Sequence, residues 1–178
     1  MRFLVYGALG MAGELLFYNL VRAGRLVPGL AWLFRFEWRV DDRLGLDSVW
    51  NAPAAALFGQ CSLWMFVVYG LCAAFVVEPL HRRLAARSWV TRAAAYGLCI
   101  GGAEWLLGWS LYALTGYRIW YYADPGALGQ MTSVNVLPAF ALVGLVAERL
   151  YLSLASSTSS QLATSEMTRR RSGSRNSS

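Results

Sequence analysis

Apolar residues along this chain gather in four long blocks, Phe3–Val21, Ser62–Leu80, Ala93–Leu114 and Met131–Leu154. A helix of about 20 consecutive apolar residues crosses the hydrocarbon core of a bilayer. Each block reaches or approaches that length, so the pattern predicts an all-α membrane protein with four transmembrane helices. The connection 21–58 is of mixed charge. Within it, Phe34-Arg35-Phe36-Glu37-Trp38-Arg39-Val40-Asp41 alternates apolar and charged positions, the period of a half-buried strand. An interfacial segment with its aromatics at headgroup level is the other reading of that stretch. The connection after the third block carries Tyr117, Trp120, Tyr121 and Tyr122, which reads as an aromatic belt.

Composition agrees with a membrane protein: 57% of the 178 residues are hydrophobic and the mean hydropathy is +0.41. Charge then orients the helices. His81, Arg82, Arg83, Arg87 and Arg92 make the loop between the second and third blocks purely basic, whereas the other connections are mixed or nearly neutral. By the positive-inside rule that loop is cytoplasmic. Both termini then lie inside and the two longer loops face out, in a multi-pass protein of the bacterial inner membrane. An amino-terminal signal peptide is the competing reading of the first block, and Glu14 argues against it by interrupting the apolar run. Residues 156–178, rich in Ser, Thr and Arg, are expected to form a disordered basic cytoplasmic tail, in reach of anionic lipid.

All 16 basic residues are Arg. Without lysine there is no Walker-type phosphate loop and no lysine Schiff base. The net charge of +6 is placed as membrane topology requires, so no nucleic-acid partner is expected. Cys61, Cys72 and Cys99 have no CxxC spacing and are odd in number, which indicates neither a disulfide framework nor a zinc site. No cofactor or metal is expected.

The chain also repeats itself. Tyr6, Gly7 and Glu14 match Tyr96, Gly97 and Glu104 at an offset of 90; Val49-Trp50, Gly59-Gln60 and Glu78 match Ile119-Trp120, Gly129-Gln130 and Glu148 at an offset of 70. A single deletion of about 20 residues in the second connection reconciles the two offsets. The 1–155 domain then consists of two parallel two-helix repeats with outer loops, about 3–85 and 93–155, related by an axis near the membrane normal. Glu14 and Glu104 become a symmetric pair within the helices. Intramembrane acids are costly and face a bundle interior or a water-filled cavity. Gly7, Gly10, Gly13, Gly97, Gly101 and Gly102 would let helices approach closely around them. Glu14, Glu104, Gln60, Gln130, Trp50 and Trp120 are therefore the candidate pathway or substrate-binding residues. A protonated glutamate that only fixes helix register is the structural alternative. Glu78 and Glu148, beside Arg82, Arg83 and Arg149, read as interfacial ion pairs, and the lone His81 as a poor metal ligand.

The order GMAGELLF, SLWMFVVYG, Glu78, AEWLLGW, IWYYA, Gly129, Pro138 and Glu148 resembles the transmembrane protein 229 family and a related bacterial family described as ABC-transporter type IV. The resemblance covers most of residues 3–155. It implies a small polytopic membrane protein with a permease-like or transporter-subunit role, for which any ATPase would be a separate chain. Where that family has Trp-Asp-Tyr-Ser, this chain has Trp120-Tyr121-Tyr122-Ala123, and the nearest acid is Asp124. A membrane-embedded enzyme acting on lipid or isoprenoid, with the same glutamates as acid and base, and a non-catalytic scaffold stay open beside it. Membrane lipid and a second copy of the chain are the remaining expected partners.

Overall fold

The computed structural model describes residues 2–26, 35–44 and 61–175, and it is mostly helical. Helix α1 spans Arg2–Leu26. Helix α2, Leu63–Leu71, runs through a π-helical turn at Cys72–Val77 into α3, Glu78–Leu84. Helices α4 and α5 span Trp89–Thr115 and Leu137–Arg175. The π turn has a local cause. Pro79 offers no N–H and its ring crowds the carbonyl four residues back, so the helix widens just before it and the Glu78 N–H bonds the Ala73 carbonyl. Serine caps start the other rods: Ser62 accepts from Trp64 N and Ser88 from Thr91 N. Gly116, at φ 73°, ends α4 in the left-handed conformation that glycine adopts without strain.

Two stretches, Leu63–Leu84 and Val134–Ser156, are long and apolar enough to cross a membrane. Helices α1 and α4 have the length but carry more glycine, tyrosine and tryptophan, with an acid near the middle of each. α5 continues to Arg175, through the stretch expected to be disordered.

The helices pair as two hairpins, α1 against α2 and α4 against α5. Glycines set the close approach in both. A Cβ on Gly7 would lie 2.7 Å from the Phe66 carbonyl oxygen, and one on Gly97 would lie 2.8 Å from that of Leu137. Gly10 and Gly144 are tighter still, against the Tyr69 and Tyr96 side chains. Gly13 and Gly102 face open space, so these two do not serve the packing expected of them.

The fold is not purely helical. Between the hairpins sits a small cap of strands: β1 (Trp38–Arg39) pairs antiparallel with β2 (Tyr121–Tyr122), and β3 (Ala127–Leu128) with β4 (Thr132–Ser133). The alternation holds in burial over 35–40, where Phe36, Trp38 and Val40 point inward while Arg35 and Arg39 are exposed; Asp41 breaks it by being buried, and Phe34 lies outside the described residues. Its ladder is only two residues long because β2 offers no more. Trp120 and Tyr122 are buried in the main core with Val21, Phe36, Met65, Val68 and Leu111, so these two aromatics form no belt. Of the four belt residues expected, Tyr117 is the exposed one.

Gly144→Ala would place a methyl 2.3 Å from the Tyr96 Cβ, a backbone-anchored atom that cannot swing away. It should cost about 1–3 kcal/mol by overpacking. Gly102→Ala, in open space within a helix, should be neutral or stabilising by up to about 1 kcal/mol. Thermal unfolding of both variants in one detergent checks the contrast.

Candidate functional site: four buried glutamates

Glu14, Glu78, Glu104 and Glu148 are all buried, and each carboxyl accepts a tyrosine hydroxyl. The donors are Tyr69 to Glu14 at 2.9 Å, Tyr6 to Glu78 at 2.9 Å, Tyr122 to Glu104 at 2.9 Å and Tyr96 to Glu148 at 2.6 Å. A buried carboxyl without partners is strongly disfavoured, and a phenol supplies one short donor while its ring fills apolar space.

The four divide into two kinds. Glu78 and Glu148 are neutralised. Arg2 lies 3.1 Å from Glu78, and Arg92 grips Glu148 with two parallel bonds of 2.8 and 2.9 Å, the bidentate geometry favoured by guanidinium. Each makes a clamp of Arg, Tyr and Glu joining the start of one helix to the end of its hairpin partner. The clamps correspond in sequence, since Arg2 and Arg92 share the offset of 90 that relates Tyr6 to Tyr96, although Arg2 makes a single contact where Arg92 makes two. The acids thus form the ion pairs expected of them, but with Arg2 and Arg92 rather than with Arg82, Arg83 or Arg149. The clamps meet at one junction. His81 Nδ1 lies 3.2 Å from Glu148, the His81 and Tyr151 rings contact edge-on, and the Arg2 guanidinium lies over Tyr151. His81 and Tyr151 are themselves related by the offset of 70.

Glu14 and Glu104 have no cationic partner among the described residues. Glu14 Oε2 takes the Tyr69 hydroxyl and, at 3.0 Å, the Cys61 thiol. Cys61 is therefore a donor to an acid, not simply a small apolar residue. Glu104 Oε1 takes Tyr122, while its Oε2 and the Thr132 hydroxyl are buried without a hydrogen bond of normal geometry, although Thr132 lies close enough to influence the Glu104 carboxyl. The two carboxyls lie within electrostatic reach of each other, and Tyr69 is near both. Glu14 and Glu104 are thus electrostatic neighbours, each with its own donors and with no hydrogen bond joining them among the described residues.

The other candidates fare differently. Trp120 is in the core, its indole N–H donating to the Met131 carbonyl at 3.0 Å. Gln130 is exposed in the turn between β3 and β4, where it and Gly129 take φ of 64° and 56°, the paired positive values of a type I′ hairpin turn. Neither side chain joins the acids. Trp50 and Gln60 lie outside the described residues. Tyr69, Cys61 and Thr132 were missed: a tyrosine or cysteine in an apolar run looks like core, and nothing local marks its partner.

No family model, curated protein or solved structure matches this chain. Its own geometry therefore carries the functional reading.

Two aspartates hold the cap over this centre. Asp124 is buried and accepts from Glu37 N, Gly126 N, the Ser133 hydroxyl and the Asn135 amide at 2.6–3.1 Å. Burial opposes its ionisation, but these four donors outweigh burial and hold the carboxyl below the usual carboxylate range. Asp41 binds the Arg43 guanidinium through both oxygens and also accepts the Arg118 N–H. Chiefly through Arg43, it too is held well below that range.

Because both folded values are depressed, the stabilisation is fully present above the unfolded aspartate value of about 3.9 and is lost as pH falls through the lower folded value. Acid should therefore loosen the cap, read by tryptophan fluorescence. Asp124→Asn should lower stability by about 2–3 kcal/mol at neutral pH and flatten the acid limb of the profile.

Proposed function

We propose that this chain is a four-span inner-membrane protein built of two parallel helical hairpins. We further propose that it acts as a permease-like protein or transporter subunit, with Glu14 and Glu104 in the transport pathway. The observation that carries this reading is the pair itself: two buried carboxyls within electrostatic reach of each other, with tyrosine and cysteine donors and, among the described residues, no cation. An acid kept for register alone would be satisfied as Glu78 and Glu148 are. A centre left without positive charge suits a proton or a cationic group that comes and goes.

Four spans are supported by more than the two most apolar segments. Helices α1 and α4 are 25 and 27 residues long, above the roughly 20 that a bilayer needs. Leu4, Leu9, Leu15 and Leu16 on α1, and Leu98, Leu106 and Leu114 on α4, point outward, where lipid would cover them. The matched clamps support the two repeats. The basic Arg82–Arg92 loop supports cytoplasmic termini, with the cap facing out. The resemblance to the transmembrane protein 229 family fits the same picture, and a separate ATPase chain, a second copy and membrane lipid are the partners it suggests.

In liposomes, Glu14→Gln and Glu104→Gln should each reduce flux driven by a proton or cation gradient by at least tenfold, with the fold intact by circular dichroism. Asp124→Asn should lower thermal stability while retaining flux below its melting temperature. Unchanged flux in both glutamine variants, accompanied by lower stability, would instead make the pair a structural element.

A further inference from the structure

In the loop from α3 to α4 every residue over 85–91 is exposed, yet the backbone is fixed. The Arg87 N–H donates to the Leu84 carbonyl at 2.8 Å, and the Ser88 hydroxyl accepts from Thr91 N at 3.2 Å. Arg92 adds a third tie. Its Nη1 donates to the Arg87 carbonyl at 2.7 Å, while the rest of the same guanidinium grips Glu148. The loop is thereby anchored to the Glu148 clamp and presents its side chains outward from a set backbone.

Cationic and apolar side chains stand together there. Arg82, Arg83 and Arg87 are exposed and have no carboxylate partner among the described residues. The acids of the two clamps, Glu78 and Glu148, are buried and already paired. Beside the arginines, Trp89 and Val90 are 65% and 56% exposed. Water satisfies the guanidinium groups but gains nothing from the indole, and an acidic protein surface meets only the charge. A membrane surface meets both: lipid phosphate accepts paired bonds from guanidinium, and tryptophan favours the headgroup level. Depth agrees. At the helical rise, Trp89 and Trp109 lie about 30 Å apart along α4, the thickness of the hydrocarbon core, so in a spanning α4 each sits at one interface.

We propose that the α3–α4 loop is a binding site for anionic phospholipid of the cytoplasmic leaflet. Arg82, Arg83 and Arg87 pair with its headgroup phosphate, and Trp89 seats the loop at headgroup depth. The inference rests on the four-span reading for that depth and on nothing about transport. Each arginine held near an anionic surface favours association roughly fivefold, so three on one short loop make a strong preference for anionic over zwitterionic lipid. Arg92 is a positioning residue: it spends its charge on Glu148 and holds the Arg87 backbone in place.

Tryptophan quenching of the full chain in nanodiscs tests this, with phosphatidylcholine as background and bromine near the headgroup of one lipid at a time. The quenching that Trp89→Phe removes reports the lipid at the loop. Brominated phosphatidylglycerol should produce it at a far lower mole fraction than brominated phosphatidylcholine. Arg87→Gln should weaken that preference roughly fivefold. It keeps the Arg92 bond, which is made to the Arg87 carbonyl, and it leaves Arg82 and Arg83 to orient the loop. Replacing Arg169, Arg170 and Arg171 of the tail by glutamine should leave the preference unchanged. Equal quenching by the two lipids would overturn the site but keep the four-span reading, and would leave the arginines to an acidic protein. Quenching of Trp89 by neither lipid would overturn both. A preference that survives Arg87→Gln, or disappears with the tail arginines, would also contradict the assignment. One abolished by millimolar inorganic phosphate would make the loop a site for free anions instead of lipid.

Discussion

A carboxyl group removed from water must find donors inside the protein, and this constraint organises the helices. Four glutamates are buried, and four tyrosines, from four different places in the chain, each supply one hydroxyl. Two of the tyrosines reach across a hairpin from its first helix to the end of its second. The third comes from α2 and the fourth from β2. Misplacing either hairpin would leave an acid uncompensated at a cost of several kcal/mol. The acids therefore specify which helices pair, and the glycines permit the distance.

The same bonding splits the structure into a fixed end and an open centre. At the fixed end, Arg2 and Arg92 cancel the charge of Glu78 and Glu148, and His81 with Tyr151 brings the two clamps together. At the centre no guanidinium among the described residues reaches Glu14 or Glu104, and the cap lies over them. Asp124 and Asp41 stabilise that cap through backbone and side-chain donors drawn from both connections, so it closes the hairpins jointly rather than one at a time. Acids left without a cationic partner among the described residues are what separate the centre from the clamps.

Much of this was legible in the sequence, but unevenly. The helical rods follow from the apolar blocks. Glu14 and Glu104 stand out because an acid in such a block is rare. The repeat offset that pairs them also relates Arg2 to Arg92, a match that went unread because both lie at the margins of their blocks. The tyrosine donors to the central acids were not legible. Tyr69 and Tyr122 lie 55 and 18 residues from their acids and do not correspond to each other under either offset. The repeat therefore conveys the chemistry of the pair but not the origin of its partners. Gln130 lies in the β3–β4 turn and Trp120 in the core, and neither place brings its side chain to the acids. Short strands in the cap escaped because ladders of two residues leave no periodic trace beyond the single alternating run at 34–41.

The account depends most on both hairpins crossing the bilayer, since only then are Glu14 and Glu104 enclosed acids within a membrane. Labelling of single cysteines decides it. In a chain whose native cysteines are replaced by alanine, Ser88→Cys precedes α4 in the basic loop and Leu128→Cys lies in β3 of the cap, both at exposed positions. In sealed inverted vesicles, an impermeant maleimide should label position 88 and spare position 128 until the membrane is opened. Equal labelling of both positions in sealed vesicles would contradict the four-span arrangement, and with it the enclosed pair of acids.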